Sequence, residues 1–130
     1  MTLSNFLVVK AIISLVFGIG LAVVPATVNK LFGVTLDPTG ILMARLFGAC
    51  LIGIGLICWL DRNADPKALQ GITLALFISD TIGFVVTLLG QLSDMANTLG
   101  WVNVVIWLLL ALGLGYFRFL APSAPRMFPE

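Results

Sequence analysis

The chain has 130 residues, 60% of them hydrophobic and 10% charged, with a net charge of +1 and a mean hydropathy of +1.13. Soluble domains carry about 25% charged residues, so a water-exposed globule is excluded, and the lack of any basic run removes the electrostatic footprint of a nucleic-acid binder. There is no histidine, which excludes His-ligated haem, the common catalytic zinc sites and any Ser-His or Cys-His nucleophile pair.

Four apolar stretches predict membrane spans at about 5–24, 41–60, 68–89 and 101–119. Each is close to the roughly 20 residues that a helix needs to cross a hydrocarbon core of about 30 Å. In the first, Lys10, the apolar run behind it and Val24-Pro25-Ala26 imitate a secretory signal. The stretch is nevertheless long enough to span, and Lys10 near a helix end is expected to snorkel to the headgroups. Pro25 ends this helix or opens the next one, and residues 26–33 read as a short amphipathic turn lying in the interface, with Val28, Leu31 and Phe32 on one side and Asn29 and Lys30 on the other.

Asp37-Pro38-Thr39-Gly40 is a turn in which Asp37 or Thr39 caps the second span. Asp65 and Pro66 form the same device, N-cap and first helical residue, for the third. Gly90 is expected to stop the third span, leaving a ten-residue connection from Gln91 to Gly100. The tail from Ala121 is rich in proline and reads as extended. Arg62, Lys67, Arg118 and Arg126, with Lys10, fall on one side of the bundle and Lys30 alone in the loops of the other. The positive-inside rule then places both termini in the cytoplasm. Trp59, Trp101 and Tyr116 fit aromatic belts, whereas Trp107 is deeper.

Small residues predict where helices touch: Ala44, Gly48 and Gly55 on one face of the second span, Ala49 and Gly53 beside it, Ala111 and Gly115 in the fourth, Gly18 and Gly20 in the first. Without a hydrophobic driving force, close backbone approach at such residues drives helix association. Arg45 and Asp80 stand inside the second and third spans, where a charge costs about 2.5–3.5 kcal/mol and needs a partner. Counted from the outer ends, Arg45 lies about 6–7 Å deep and Asp80 about 13 Å, a gap that an arginine side chain closes. Asn103 lies at the depth of Arg45, and Ser79 and Thr81 flank Asp80. The expected site is therefore a polar cluster of Arg45, Asp80 and Asn103, serving as a structural clasp or as a ligand, ion or proton site. The clasp is the simpler reading, because one ion pair on a glycine-lined face needs no ligand to explain it.

Catalysis wants more than this. Asp80 is the one carboxylate within a span; Asp61, Asp65 and Asp94 read as caps and solvated loop charges. No metal or cofactor is expected. Cys50 and Cys58 lie on one predicted helix, about 12 Å apart along the axis, beyond the roughly 7 Å limit for a disulfide.

The run from Ala44 through Arg45-Leu46-Phe47-Gly48 to Trp59, followed by a third apolar span and Leu99-Gly100-Trp101-Val102-Asn103, resembles small bacterial four-helix inner-membrane proteins, loosely DoxX-like. That resemblance implies a four-helix bundle in the inner membrane and no defined activity, and no site residue is carried over from it. The sequence thus predicts an all-α integral membrane four-helix bundle, one domain over 1–130. Its expected partners are the lipid bilayer and other membrane subunits or itself, with no nucleic acid. Its expected role is a non-enzymatic accessory subunit or homo-oligomer. The alternative is a lipid, small-molecule or ion binder, or a minimal transporter, using the intramembrane cluster.

Overall fold

A computed structural model describes residues 2–120. The described chain is all helix and turn: α1 (Leu3–Val23), α2 (Pro25–Leu31), α3 (Pro38–Leu60), α4 (Pro66–Leu92) and α5 (Gly100–Gly115), the last continuing as a π-helical turn over Tyr116–Leu120. Among the described residues, four helices are long and apolar enough to cross a membrane: α1, α3, α4, and α5 with its continuation to Leu120. The protein is an all-α four-helix membrane bundle. The expected extended tail from Ala121, and Arg126 within it, lie outside the described residues.

The helix starts follow from local chemistry. Thr2 accepts a hydrogen bond from the Asn5 amide at 3.2 Å, Asp37 from Gly40 at 2.6 Å and Asp65 from Ala68 at 3.4 Å. Each satisfies one of the orphan N–H groups of a first turn. Pro25, Pro38 and Pro66 open α2, α3 and α4, where a missing N–H costs nothing. The segment expected as an interfacial turn is a true helix that ends at Leu31, and the chain turns away at Gly33, whose φ of +76° suits a residue without a Cβ. Its Val28 and Phe32 face inward as expected, while Leu31 points out. Gly90 does not stop α4: the helix runs on to Leu92 and buries Gln91. Nothing at Gly90 demands a turn, since its φ is helical and the space beside it is open.

Two hairpins make the bundle. α1 packs along α3, and α4 along α5, while contact between the pairs is sparse. Glycine sets the first pairing. A Cβ at Gly18 would meet the Gly48 carbonyl oxygen at 2.8 Å, and one at Gly55 would meet Leu15 at 2.8 Å. In the second hairpin Gly83 seats the Trp107 ring and Gly115 seats Phe77. Ala111 is buried as expected. Ala49 and Gly53 do not pack inside the bundle: Ala49 is exposed, and open space lies beside Gly53.

The hairpins meet in a core of Leu7, Ala11, Cys58, Leu76 and Leu114, drawn from all four long helices. These residues lie toward the end where α1 and α4 begin, which we call the base. Toward the other end, the top, the hairpins part. There Asn97, in the α4–α5 loop, ties the second hairpin to α2: its amide N–H donates to the Phe32 carbonyl at 2.8 Å, and its Nδ2 to the Leu31 carbonyl at 3.1 Å. Buried Gln91 donates to the Asn97 carbonyl at 3.0 Å, which fixes the loop from below.

Candidate functional site: a buried ion pair under an intramembrane cavity

Asp80 does have an intramembrane partner, but it is Lys10. The Lys10 ammonium donates to both Asp80 carboxylate oxygens, at 2.8 and 2.9 Å, and the two residues are 3% and 2% exposed. The pairing joins α1 to α4, and so one hairpin to the other, just above the core.

Helical phase explains why Lys10 wins. On α1 the buried residues are Leu7, Lys10, Ala11, Ser14, Gly18 and Leu21, the spacing of one helix face. On α4 they are Thr73, Leu76, Asp80 and Gln91, again one face. Measured down from the tops of their helices, Lys10 and Asp80 both lie about 18–20 Å deep. Two charges that share both a face and a depth meet.

Arg45 fails on phase. The buried face of α3 carries Gly48, Leu51, Gly55 and Cys58, and Arg45 steps off that stripe to stand exposed on the outer surface of the bundle. It makes neither a salt bridge nor a hydrogen bond among the described residues. The expected Arg45–Asp80–Asn103 cluster is therefore not assembled. Exposed near the top of its helix, Arg45 stands where a long basic side chain can snorkel to the headgroups, the behaviour expected of Lys10. The signal for Lys10 was available in its register with Ser14, Gly18 and Leu21, but proximity to the chain start masked it.

Above the ion pair the parted hairpins enclose a cavity of about 590 Å³. This falls within the roughly 300–1,000 Å³ of small-molecule sites. Lys10 and Ser14 line it from α1, Ala44 and Phe47 from α3, Ser79 and Ile82 from α4, and Asn103 and Trp107 from α5. Asn103 thus belongs to the cavity and not to the ion pair. Ala44, expected as a packing residue, is also on the cavity wall. Phe17, Phe32, Phe47 and Trp107 supply four aromatic rings.

The cavity is open sideways. On its α3 wall Met43 and Phe47 are exposed, and on its α4 wall so are Ile82 and Val86. These two helices make little direct contact, so the gap between them opens on the outer surface of the bundle. At the top a second cavity of about 330 Å³ shares Asn29, Phe32, Thr87 and Asn103 with the first and lies beside the Asn97 tie. Thr87 spends its hydroxyl on the Gly83 carbonyl of its own helix at 2.8 Å, and Asn29 donates to the Pro25 carbonyl at 2.9 Å. Ser14, Ser79 and Asn103 have no hydrogen-bond partner for their side chains among the described residues, and all three line the cavity, Ser79 at its exposed edge.

Among the described residues, no group of three His, Cys, Asp or Glu side chains could hold a metal ion. Cys58 is buried in the core and Cys50 is exposed, both as free thiols. No family model matches the chain, and no curated protein or solved structure matches it.

Proposed function

We propose that this protein binds a small lipophilic molecule inside the membrane, taking it from the lipid through the gap between α3 and α4. The observation that carries the reading is the cavity of about 590 Å³, apolar and aromatic on its walls, with unpaired polar side chains at Ser14, Ser79 and Asn103. A bundle whose only role is structural gains from filling such a space, because each missing contact forfeits dispersion and packing energy. The reading is non-enzymatic. Asp80, the carboxylate within the spans, is committed to Lys10, so among the described residues no free carboxylate base within the spans stands beside a nucleophile.

Ala44→Trp tests this. The indole extends into the cavity from α3 and occupies the ligand's space. Lipids and small molecules retained by the detergent-purified protein are profiled by mass spectrometry, with helicity and particle size checked alongside. The expected result is a species enriched with the wild type and lost with Ala44→Trp. Identical profiles from two folded proteins would remove the binding reading.

A second reading, association with another membrane subunit or a second copy, has its own support. Arg45, Ala49 and Gly53 lie along one outward face of α3, with open space at Gly53. Small residues on a lipid-facing stripe allow a partner helix to approach closely. Gly53→Leu should then reduce the size of the particle purified in mild detergent; an unchanged size would argue against association through this face.

The same proposal places the protein in a bacterial inner membrane, in keeping with its resemblance to DoxX-like chains, with both termini in the cytoplasm. Arg62, Lys67 and Arg118 at the base support that orientation against Lys30 and Arg45 at the top. Paired C-terminal reporters, one active only inside the cell and one only outside, check it. Activity from the outside reporter alone would invert the bundle.

A further inference from the structure

The floor of the cavity narrows the chemistry of what it holds. Lys10 carries three N–H donors, and Asp80 takes two of them, one on each carboxylate oxygen. The third has no protein acceptor among the described residues, and Lys10 lines the cavity. Ser14 stands one turn above on the same face, buried, with its hydroxyl also unpartnered. Two donors therefore lie one turn apart on the face of α1 that lines an otherwise largely apolar chamber.

Charge decides what they accept. Asp80 already neutralises Lys10. An anionic ligand would bring an uncompensated negative charge beside the Asp80 carboxylate, where like charges in low dielectric repel strongly. A neutral acceptor meets no such repulsion and receives a charge-assisted hydrogen bond. The walls add shape. Trp107 is held in place by the missing side chain of Gly83, and Phe17 and Phe47 line the same chamber, so flat ring faces are the complementary surface.

We propose that the ligand is an uncharged, ring-bearing lipophile whose carbonyl oxygen is held by the free N–H of Lys10 and the Ser14 hydroxyl. This rests on the binding role proposed above and gives that role a chemical class. The ring lies among Trp107, Phe17 and Phe47, and the remainder of the molecule extends toward the gap between α3 and α4. The Lys10–Asp80 pair then serves twice, joining the hairpins and presenting a donor without presenting net charge.

Three probes of nearly equal size separate the possibilities: 2-acetylnaphthalene, 2-ethylnaphthalene and 2-naphthoic acid. Saturable binding of each to the full chain in nanodiscs is measured at neutral pH, with empty nanodiscs subtracted. The ketone is expected to bind about tenfold more tightly than the hydrocarbon, the scale of one hydrogen bond to a charged donor. The acid is expected to bind no better than the hydrocarbon. In Ser14→Ala the advantage of the ketone shrinks, and in Lys10→Met combined with Asp80→Leu it falls to about twofold or less. Equal affinity for ketone and hydrocarbon, or a preference for the acid, would overturn the ligand class while leaving the cavity as a binding site. A ketone advantage that survives both variants would overturn the assignment to Lys10 and Ser14. No saturable binding of any probe would overturn the class and the binding role together. The wild-type comparison is decisive even if the double variant does not fold.

Discussion

Lys10→Met alone, or Asp80→Leu alone, is expected to lower stability by about 3–5 kcal/mol, and the two together to recover most of that loss. Each single change leaves the other charge buried with no counter-ion, at 2–3% exposure and in the middle of a hydrocarbon slab. The double change removes both charges and leaves two side chains of suitable size at the hairpin junction. Unfolding in detergent, followed by circular dichroism, yields the double-mutant cycle. Arg45→Leu serves as the comparison. Arg45 does not touch Asp80, so its effect should add to that of Asp80→Leu without rescue. Additive losses for Lys10 and Asp80, or rescue of Asp80→Leu by Arg45→Leu, would contradict the pairing.

Gly48→Val is expected to cost about 3 kcal/mol or more, the upper range for overpacking a tight contact. A Cβ at Gly48 would lie 2.6 Å from the Gly18 carbonyl oxygen and 2.7 Å from the Ala22 amide nitrogen. Both are backbone atoms of α1, so no rotamer change makes room and the helices must separate. Separation strips contacts along the whole α1–α3 seam and opens the cavity wall that these helices share. Gly53→Ala on the same helix adds a methyl group to open space and should be close to neutral. Thermal unfolding of the two variants side by side checks the expectation. Equal stability would mean that α1 and α3 do not cross at Gly18 and Gly48.

The two substitutions illustrate different kinds of legibility. Gly48 and Gly55 were readable as contact residues, because small residues at helical spacing in an apolar span have few other uses. Their partner was not readable. Nothing in α3 alone says that it packs on α1 and not on α4. Ala49 and Gly53 carry the same local signature as Gly48 and point away from the bundle. Small residues report that a helix face allows close approach, not that a neighbour occupies it.

The polar site shows the same division. Asp80 was recognisable as a residue needing a partner, since burial of a lone carboxylate in hydrocarbon is costly. Depth along the helix axis suggested Arg45, yet depth is one coordinate of two. The angular coordinate rejects Arg45 and admits Lys10, and it becomes decisive only once the faces that meet are known. The cavity has no sequence signature at all. Phe17, Phe47, Ile82 and Trp107 lie far apart in the chain, and each reads as ordinary apolar helix.

Sequence by itself determined the four spans, the two Asp-Pro helix starts, the amphipathic character of the short segment after Pro25 and the all-α membrane class. Those features depend on length, hydropathy and hydrogen bonds between near neighbours, which are local quantities. Only the tertiary structure decided that α1 pairs with α3 and α4 with α5, that Lys10 holds Asp80, and that the hairpins part above that pair to leave a chamber open at its side. These depend on which faces of separate helices come together. In a bilayer, where every face is apolar, hydropathy does not distinguish the face that packs from the face that meets lipid; backbone approach at a few glycines and the pairing of one buried charge do.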